Sequence, residues 1–324
     1  MSFFKTLSTT AIALLVVACS GNEETAVSNF PSDRVVRICA GINNSYTRGF
    51  YTTDNLQEFS ISIVNTNNGN YNYDNIKVTG SNSTEWNTQT VMLWQNGKQK
   101  VDIIAYAPYQ TGTAITGNTT LEAGVQATQT KDDNSSDFLL YVSKGFTPSS
   151  DLNADKELEI PLSHAFSKLT VRISLGNAYN VSSLTDTNPI TGLTIKGTII
   201  TGVCNLTADK PQFIAKASES ATNVMPYEIA YAKPSGILDN AVATYECILV
   251  PQRIYAYDLS VSFVVDGTTY HWKVPEEIDF EPGMNYDLSI KAGNNSITSG
   301  TMSAKPWKDP ALGTDYHEIQ TEYK

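Results

Sequence analysis

Few side chains in this sequence have both the type and the spacing that chemistry demands. The three histidines, His164, His271 and His317, stand far apart, and none has a second His or a Cys at metal-ligand spacing. Of the four cysteines, Cys19, Cys39, Cys204 and Cys247, no two form Cys-x-x-Cys, so neither a zinc site nor a redox dithiol is encoded locally. Cys204 and Cys247 could pair in an oxidising compartment. The alternative is separate buried thiols that act as small hydrophobes. Asp132, Asp133, Asn134 and Asp137 gather oxygen ligands of the kind a hard cation takes, but without EF-hand spacing or its closing glutamate, so they read as a solvated loop. His164, beside Ala165 and Phe166, reads as a packed residue that hydrogen-bonds backbone. No nucleophile elbow, phosphate loop or dinucleotide fingerprint occurs. The expectation is a non-enzyme with no catalytic residue, metal or cofactor. Two tyrosine pairs remain, Tyr71 with Tyr73 and Tyr255 with Tyr257. Their i, i+2 spacing would place each pair on one strand face. There they would pack across strands or, if exposed, stack on sugar rings.

The N-terminus carries a different chemistry. Lys5 precedes an apolar run, Ala11 to Ala18, and the order Leu15-Val16-Val17-Ala18-Cys19 sets large aliphatics, then a small residue, before a cysteine. This resembles a bacterial lipoprotein signal. The run is shorter than the roughly 20 apolar residues that span a bilayer. The resemblance implies removal of residues 1–18, lipidation of Cys19 (a palmitate-bearing anchor) and a lipid-anchored precursor in the outer membrane. Residues 19–33 are polar and carry too little apolar surface to fold, so they read as a flexible tether. Ser20 and the Glu23-Glu24 pair resemble the acidic export tag of surface lipoproteins.

The elements that must carry these residues read as strands. The 324-residue chain is only 17% charged, with a net charge of −11, which argues against nucleic acid or an anionic bilayer surface as a partner. Apolar and polar residues alternate in 34–42, 58–65, 168–175, 192–201, 245–251 and 286–293. Asn96-Gly97 and Asp266-Gly267 each divide two strand-like runs, the signature of tight hairpins. No segment has sustained helical periodicity. Many short strands at this spacing predict an all-β chain of mainly antiparallel β-sandwiches. The length suits two domains, an N-terminal sandwich over 34–165 and a C-terminal one with a terminal tail over 166–324. The barely interrupted strand pair at 156–175 implies restricted hinge motion between them.

Within this frame IPLSHAFSKLTVRI (160–173) resembles the central signature of the fimbrillin-like proteins of the Bacteroides group. Further motifs follow in the order that family shows. They are TRGF (47–50), Trp94 ahead of Asn96-Gly97-Lys98 and IIAYAPY (103–109), Ser136-Asp137-Phe138-Leu139, LVPQ (249–252), Pro282-Gly283 before YDLSI, and KPWKDP (305–310). The similarity spans about residues 34–310. Gly49 stands where alanine is common, and KPWKDP has proline where a glycine often ends the turn, which bears on subunit class more than on fold. The resemblance implies two tandem transthyretin-like β-sandwich domains in a fimbrial subunit or cell-surface adhesin. Its partners would be other fimbrial subunits, the outer-membrane lipid through Cys19, and a host or bacterial surface protein or glycan. In this family an arginine-specific protease cuts a loop after the first strand, which places the candidate cut at Arg48–Gly49. The candidate exchanged strand is Val35–Ile42, with Val36, Ile38, Ala40 and Ile42 on one face. A strand that replaced it would need main-chain pairing and alternating apolar anchors. The tail offers only Ile319 as a strongly apolar anchor among His317, Ile319 and Thr321, a poor donor, so a minor, tip or anchor subunit is expected rather than a stalk subunit. The second expectation is a glycan-binding surface lipoprotein on the same scaffold.

Overall fold

The structure is a computed structural model that describes residues 28–42, 51–52, 54–81, 84–176, 186–233, 240–293, 296–307 and 317–319, the last by backbone alone. The described chain is almost entirely β, in mostly antiparallel sheets. Its one α-helix, α1 (Pro148–Asp151), is four residues long, far too short to cross a membrane.

The first sheet runs β1 (Ile38–Ile42), β8 (Leu158–His164), β7 (Leu139–Phe146), β5 (Val101–Ala107), β2 (Glu58–Val64), β3 (Tyr73–Ser81), β4 (Thr84–Thr88). It folds over a core that includes Phe59, Ile61, Trp94 and Ile103, with Leu158 and Ile160 contributed by β8. The alternation in 58–65 works as expected, with Phe59, Ile61 and Ile63 on the core face. Ser60 and Ser62, on the opposite face, are buried too, bonded to Asn75 and Asp74. The fold turns β7 into β8 through only two residue pairs, Leu139↔His164 and Leu140↔Ser163.

The second core is enclosed by two sheets. One runs β14 (Tyr227–Ala232), β15 (Ala241–Leu249), β9 (Ser167–Leu175), β20 (Met284–Ala292), β21 (Ile297–Pro306), β22 (His317–Ile319). The other runs β13 (Thr222–Val224), β10 (Ile190–Thr198), β17 (Ser260–Val265), β18 (Thr268–Lys273). A two-stranded ribbon, β16 (Gln252–Ile254) with β19 (Ile278–Phe280), closes one end. Asp266-Gly267 makes the expected tight hairpin between β17 and β18, with φ of 48° and 75°, the left-handed pair such a turn requires.

A third core lies between the two. β6 (Thr120–Gly124) comes from the first half but pairs with β11 (Thr201–Asn205) of the second, beside β12 (Phe213–Ala215). Phe138, Phe166 and Phe213 pack together there. Buried Gln129 acts as an extra strand residue. Its side-chain oxygen accepts from the Ile248 N–H at 2.8 Å, and its amide donates to the Ile248 carbonyl at 2.8 Å. These contacts join the two halves.

Asn96-Gly97 departs from expectation. It forms a turn, in which the Asn96 side chain accepts from the N–H groups of Lys98 and Gln99, but no hairpin. The run before it is taken by the N-terminus instead. Val35 bridges Leu93, Val36 N–H bonds the Met92 carbonyl at 3.0 Å, and Trp94 N–H bonds the Arg34 carbonyl at 2.8 Å.

Candidate functional site

The first strand is built as its sequence pattern requires. Val36, Ile38, Ala40 and Ile42 are all buried against β8 and the first core, while Arg37 and Cys39 face outward. β1 runs parallel to β8 from Ile38↔Leu158 to Ile42↔Leu162. On its other side it has no strand partner among the described residues, because it ends its sheet. Residues 28–33 already touch the fold. Asn29 donates to the Leu152 carbonyl at 2.9 Å, Phe30 packs on the core, and Arg37 pairs with Asp33 at 2.6 Å.

The outer side of β1 borders a groove of about 590 Å³ whose far wall is β4. β4 is the other terminal strand of this sheet among the described residues, so the two ends of the sheet face one another across the groove. Trp86 lies in that wall, packed edge-on against Phe59 with ring centroids 5.1 Å apart, and Val91, 68% exposed, sits at the rim. Sequence patterning did not single out Trp86 or Val91. The signal available was a tryptophan in an otherwise polar strand, TEWNT.

The spacing decides what the groove can accept. Cα atoms of β1 and β4 approach within 8 Å in places. A strand added between them would need about 9.6 Å, twice the usual inter-strand spacing. The groove as it stands therefore has no room for a further strand between β1 and β4.

Asp137 anchors the chain at Tyr51. Its side chain is fully buried; one oxygen accepts from the Tyr51 N–H at 2.8 Å and the other contacts His164 Nδ1 at 2.8 Å. The His164 ring stacks on Trp307 at 3.8 Å. His164 thus takes a carboxylate partner, not the backbone partner expected, because Asp137 turns inward and away from exposed Asp132 and Asp133. No group of three or more metal-ligating side chains occurs among the described residues. Burial and then the Asp137 charge push the Tyr51 phenol up to about 12.

Cys204 and Cys247 are unpaired and buried, and belong to different cores. Burial raises the Cys204 thiol to about 11 and Cys247 higher still. The tyrosine pairs do not lie on strand faces. Tyr71 ends a short 3₁₀ turn while Tyr73 begins β3, and Tyr255 and Tyr257 stand exposed in the turn after β16. Cys19, Arg48 and Gly49 lie outside the described residues. The structure thus brings together Val36, Ile38, Ala40 and Ile42, and places Ile42 and Tyr51 at the two ends of the segment that holds Arg48–Gly49.

The model of the fimbrillin-like family matches residues 44–307. The fold is similar to crystal structures of two proteins assigned to cell adhesion. The one from Bacteroides ovatus has a TM-score of 0.61 and 16% identity, over 86% of this chain and 99% of that one. The one from Bacteroides uniformis has a TM-score of 0.57 and 17% identity, over 86% and 99%. A fimbrial protein from Bacteroides vulgatus aligns with a TM-score of 0.50 and 13% identity, over 85% and 99%. No curated protein matches the sequence.

Proposed function

The chain belongs to the fimbrillin-like family, and from that premise we propose that it is a non-enzymatic fimbrial subunit or surface adhesin assembled by strand exchange. In this reading the chain is exported as a lipoprotein and held in the outer membrane by lipidated Cys19. Residues 34–165 and 166–324 are its two domains. Cleavage at Arg48–Gly49 parts the lipid, the tether and β1 from the rest, and another subunit's strand takes the vacated place. The observation that carries the reading is the place of β1 at the end of its sheet among the described residues, with Ile38, Ala40 and Ile42 buried beside an open groove.

The tail supports a minor, tip or anchor role over a stalk role. A donor for this groove would have to replace three large aliphatic anchors, each worth about 1.5–3 kcal/mol. Among the alternating residues His317, Ile319 and Thr321 only Ile319 is strongly apolar, and the backbone of β22 pairs with β21 in the chain's own second half. The chain is therefore better suited to accept a strand than to donate one.

The test is to treat purified precursor with an arginine-specific protease in the presence of a donor subunit of the same fimbria. The expected result is a single cut at Arg48, followed by SDS-resistant oligomers and by assembled protein that starts at Gly49, with R48A inert in both assays. Resistance to the protease, or cutting without any change in assembly, would leave an anchored adhesin that is never exchanged. The second reading, a glycan-binding surface lipoprotein, draws its support from another part of the molecule, the exposed Tyr255–Tyr257 turn.

A further inference from the structure

We propose that the Tyr255–Tyr257 turn, together with Arg253, Glu277 and Asp279, is a binding site for a neutral oligosaccharide. This deepens the glycan-capture reading and does not depend on strand exchange.

Tyr255 and Tyr257 are 63% and 58% exposed, whereas most aromatic rings of the second half are core. Tyr257 has φ of +69°, a left-handed conformation that is an outlier for a bulky residue and that glycine adopts without strain. An exposed aromatic kept in a strained position calls for a functional explanation. The turn is also rigid. Tyr257 N–H donates to the Val274 carbonyl at 2.7 Å, and Asp258 N–H to the Tyr255 carbonyl at 3.1 Å. Ile254, Leu259 and Val274 are buried beneath it. Gly197, itself at φ +97°, admits the turn, since a Cβ there would lie 2.1 Å from the Asp258 oxygen.

The polar surroundings are those a sugar needs. Arg253 and Tyr255 alternate with buried Ile254, so both face outward. Across the ribbon Arg253 opposes Asp279, and the last pair of the ladder is Ile254 with Ile278, the residues next to Tyr255 and Glu277. Arg253 forms two bonds of 2.8 Å to Asp279 and lies 3.4 Å from Glu277. The fork is held from both sides and still has N–H groups to donate. The arginine holds the Asp279 carboxyl below its ordinary range, which keeps it an acceptor. Carboxylates that accept from vicinal hydroxyls, a guanidinium that donates, and ring faces that cover sugar C–H groups make a complete set. Beyond the Arg253–Asp279 pair a groove of about 450 Å³, lined also by Ile214, Pro251 and Phe280, gives room for further sugar units.

Charge and size select the ligand. Glu277, Asp279 and Asp258 outweigh Arg253, so a sialylated or sulfated glycan would be repelled. The exposed ring area is roughly 250 Å², taking about 200 Å² per tyrosine. A protein interface needs about 800 Å² per partner.

The test uses the uncleaved monomeric chain, so that failure of assembly leaves the readout untouched. It is applied to printed neutral oligosaccharides of hexose and N-acetylhexosamine beside their sialylated and sulfated counterparts. The strongest neutral binder is then titrated against wild type, Y255A and Y257G. The expected result is neutral binders only, weakened about tenfold or more in each variant, a loss of about 1.4 kcal/mol. Glycine relieves the strain, so Y257G keeps its thermal midpoint or raises it, which separates lost binding from misfolding. No retained glycan, a preference for the acidic set, or binding by Y255A and Y257G as tight as that of wild type would overturn the proposal. So would self-association that both variants abolish in the absence of glycan binding, which would mark the turn as a protein contact.

Discussion

Ile38→Ala should release β1 without unfolding the rest of the molecule. Val36, Ile38 and Ile42 each contribute about 1.5–3 kcal/mol of burial, roughly 5–9 kcal/mol together. The single ladder to β8 adds about 1 kcal/mol per hydrogen bond, or roughly 4–5. Against this, ordering residues 36–42 costs about 1–2 kcal/mol each, roughly 7–14 in total. The two sides nearly cancel, so β1 is held by at most a few kcal/mol while it remains tethered. Ile38 is almost fully buried, and its truncation to alanine should cost about 2–5 kcal/mol. If β1 opens locally, all of that loss appears as faster opening of β1, at least about 30-fold at the lower bound. Native-state hydrogen exchange read by peptide mass spectrometry measures it. Amides of β1 should speed up by that factor while those of β9 stay unchanged. β9 is the internal control because it is paired on both sides, to β15 from Ser167 to Leu175 and to β20 from Lys168 to Leu175. Equal acceleration of β1 and β9 would refute the reasoning, since it would mean that β1 opens only with the whole fold.

Three further outcomes can be checked directly. In the mature chain only Cys39 should react with a maleimide under native conditions, because Cys204 and Cys247 are buried with raised thiol pKa values; intact-mass spectrometry should show one adduct, and three after unfolding in urea. Burial and then the carboxylates of Glu157, Glu159 and Asp155 also raise the Cys39 thiol, so its reaction should quicken as salt screens them. Asp137→Ala removes the carboxylate that meets the Tyr51 N–H and His164 Nδ1 in the interior and should cost about 2–6 kcal/mol in urea denaturation, at roughly 1–3 kcal/mol per lost contact. Gly197→Ala forces a Cβ into the Asp258 carbonyl at a left-handed position and should cost more than about 2 kcal/mol in the same assay, where Gly192→Ala, with open space around it, costs less.

The face of β1 was legible because strand alternation is local, and so was the Asp266-Gly267 hairpin, whose two residues tolerate positive φ. The partners were not legible. The parallel pairing of β1 with β8 joins residues more than a hundred positions apart, and nothing in either segment specifies the other. The same holds for β6 and β11, whose pairing carries one half of the chain onto the other. Asn96-Gly97 misled because the run before it had a better partner in Val35, a choice made by tertiary structure and not by the turn. His164 and Asp137 each attracted notice, but their contact depends on a loop that turns inward, which no spacing encodes. Tyr255 and Tyr257 read as a strand pair because i, i+2 spacing is blind to Tyr257's left-handed turn.

The weak attachment of β8 bears on how exchange could proceed. Without β1, β8 would keep only the pairs Leu139↔His164 and Leu140↔Ser163 to β7, at its C-terminal end. Leu158, Ile160 and Leu162, all buried now, would lose the strand that covers them. They also pack on the rest of the first core, so only part of that burial goes with β1, on the order of 1 kcal/mol per side chain. An empty groove is therefore a costly state, and it borders Ala165 and Phe166, through which β8 runs directly into β9 and the core between the halves. Under the strand-exchange reading, the departure of β1 and the arrival of a donor are accordingly coupled, with the donor pairing to β8 as β1 peels away. A chain cut at Arg48 but given no donor should keep β1 bound and retain its thermal midpoint. The same chain stripped of β1 in mild denaturant should melt lower and aggregate, and a synthetic Val35–Ile42 peptide should restore it. A stripped chain that melts like the intact one would show that β8 stands without a neighbour, and would favour stepwise release over exchange.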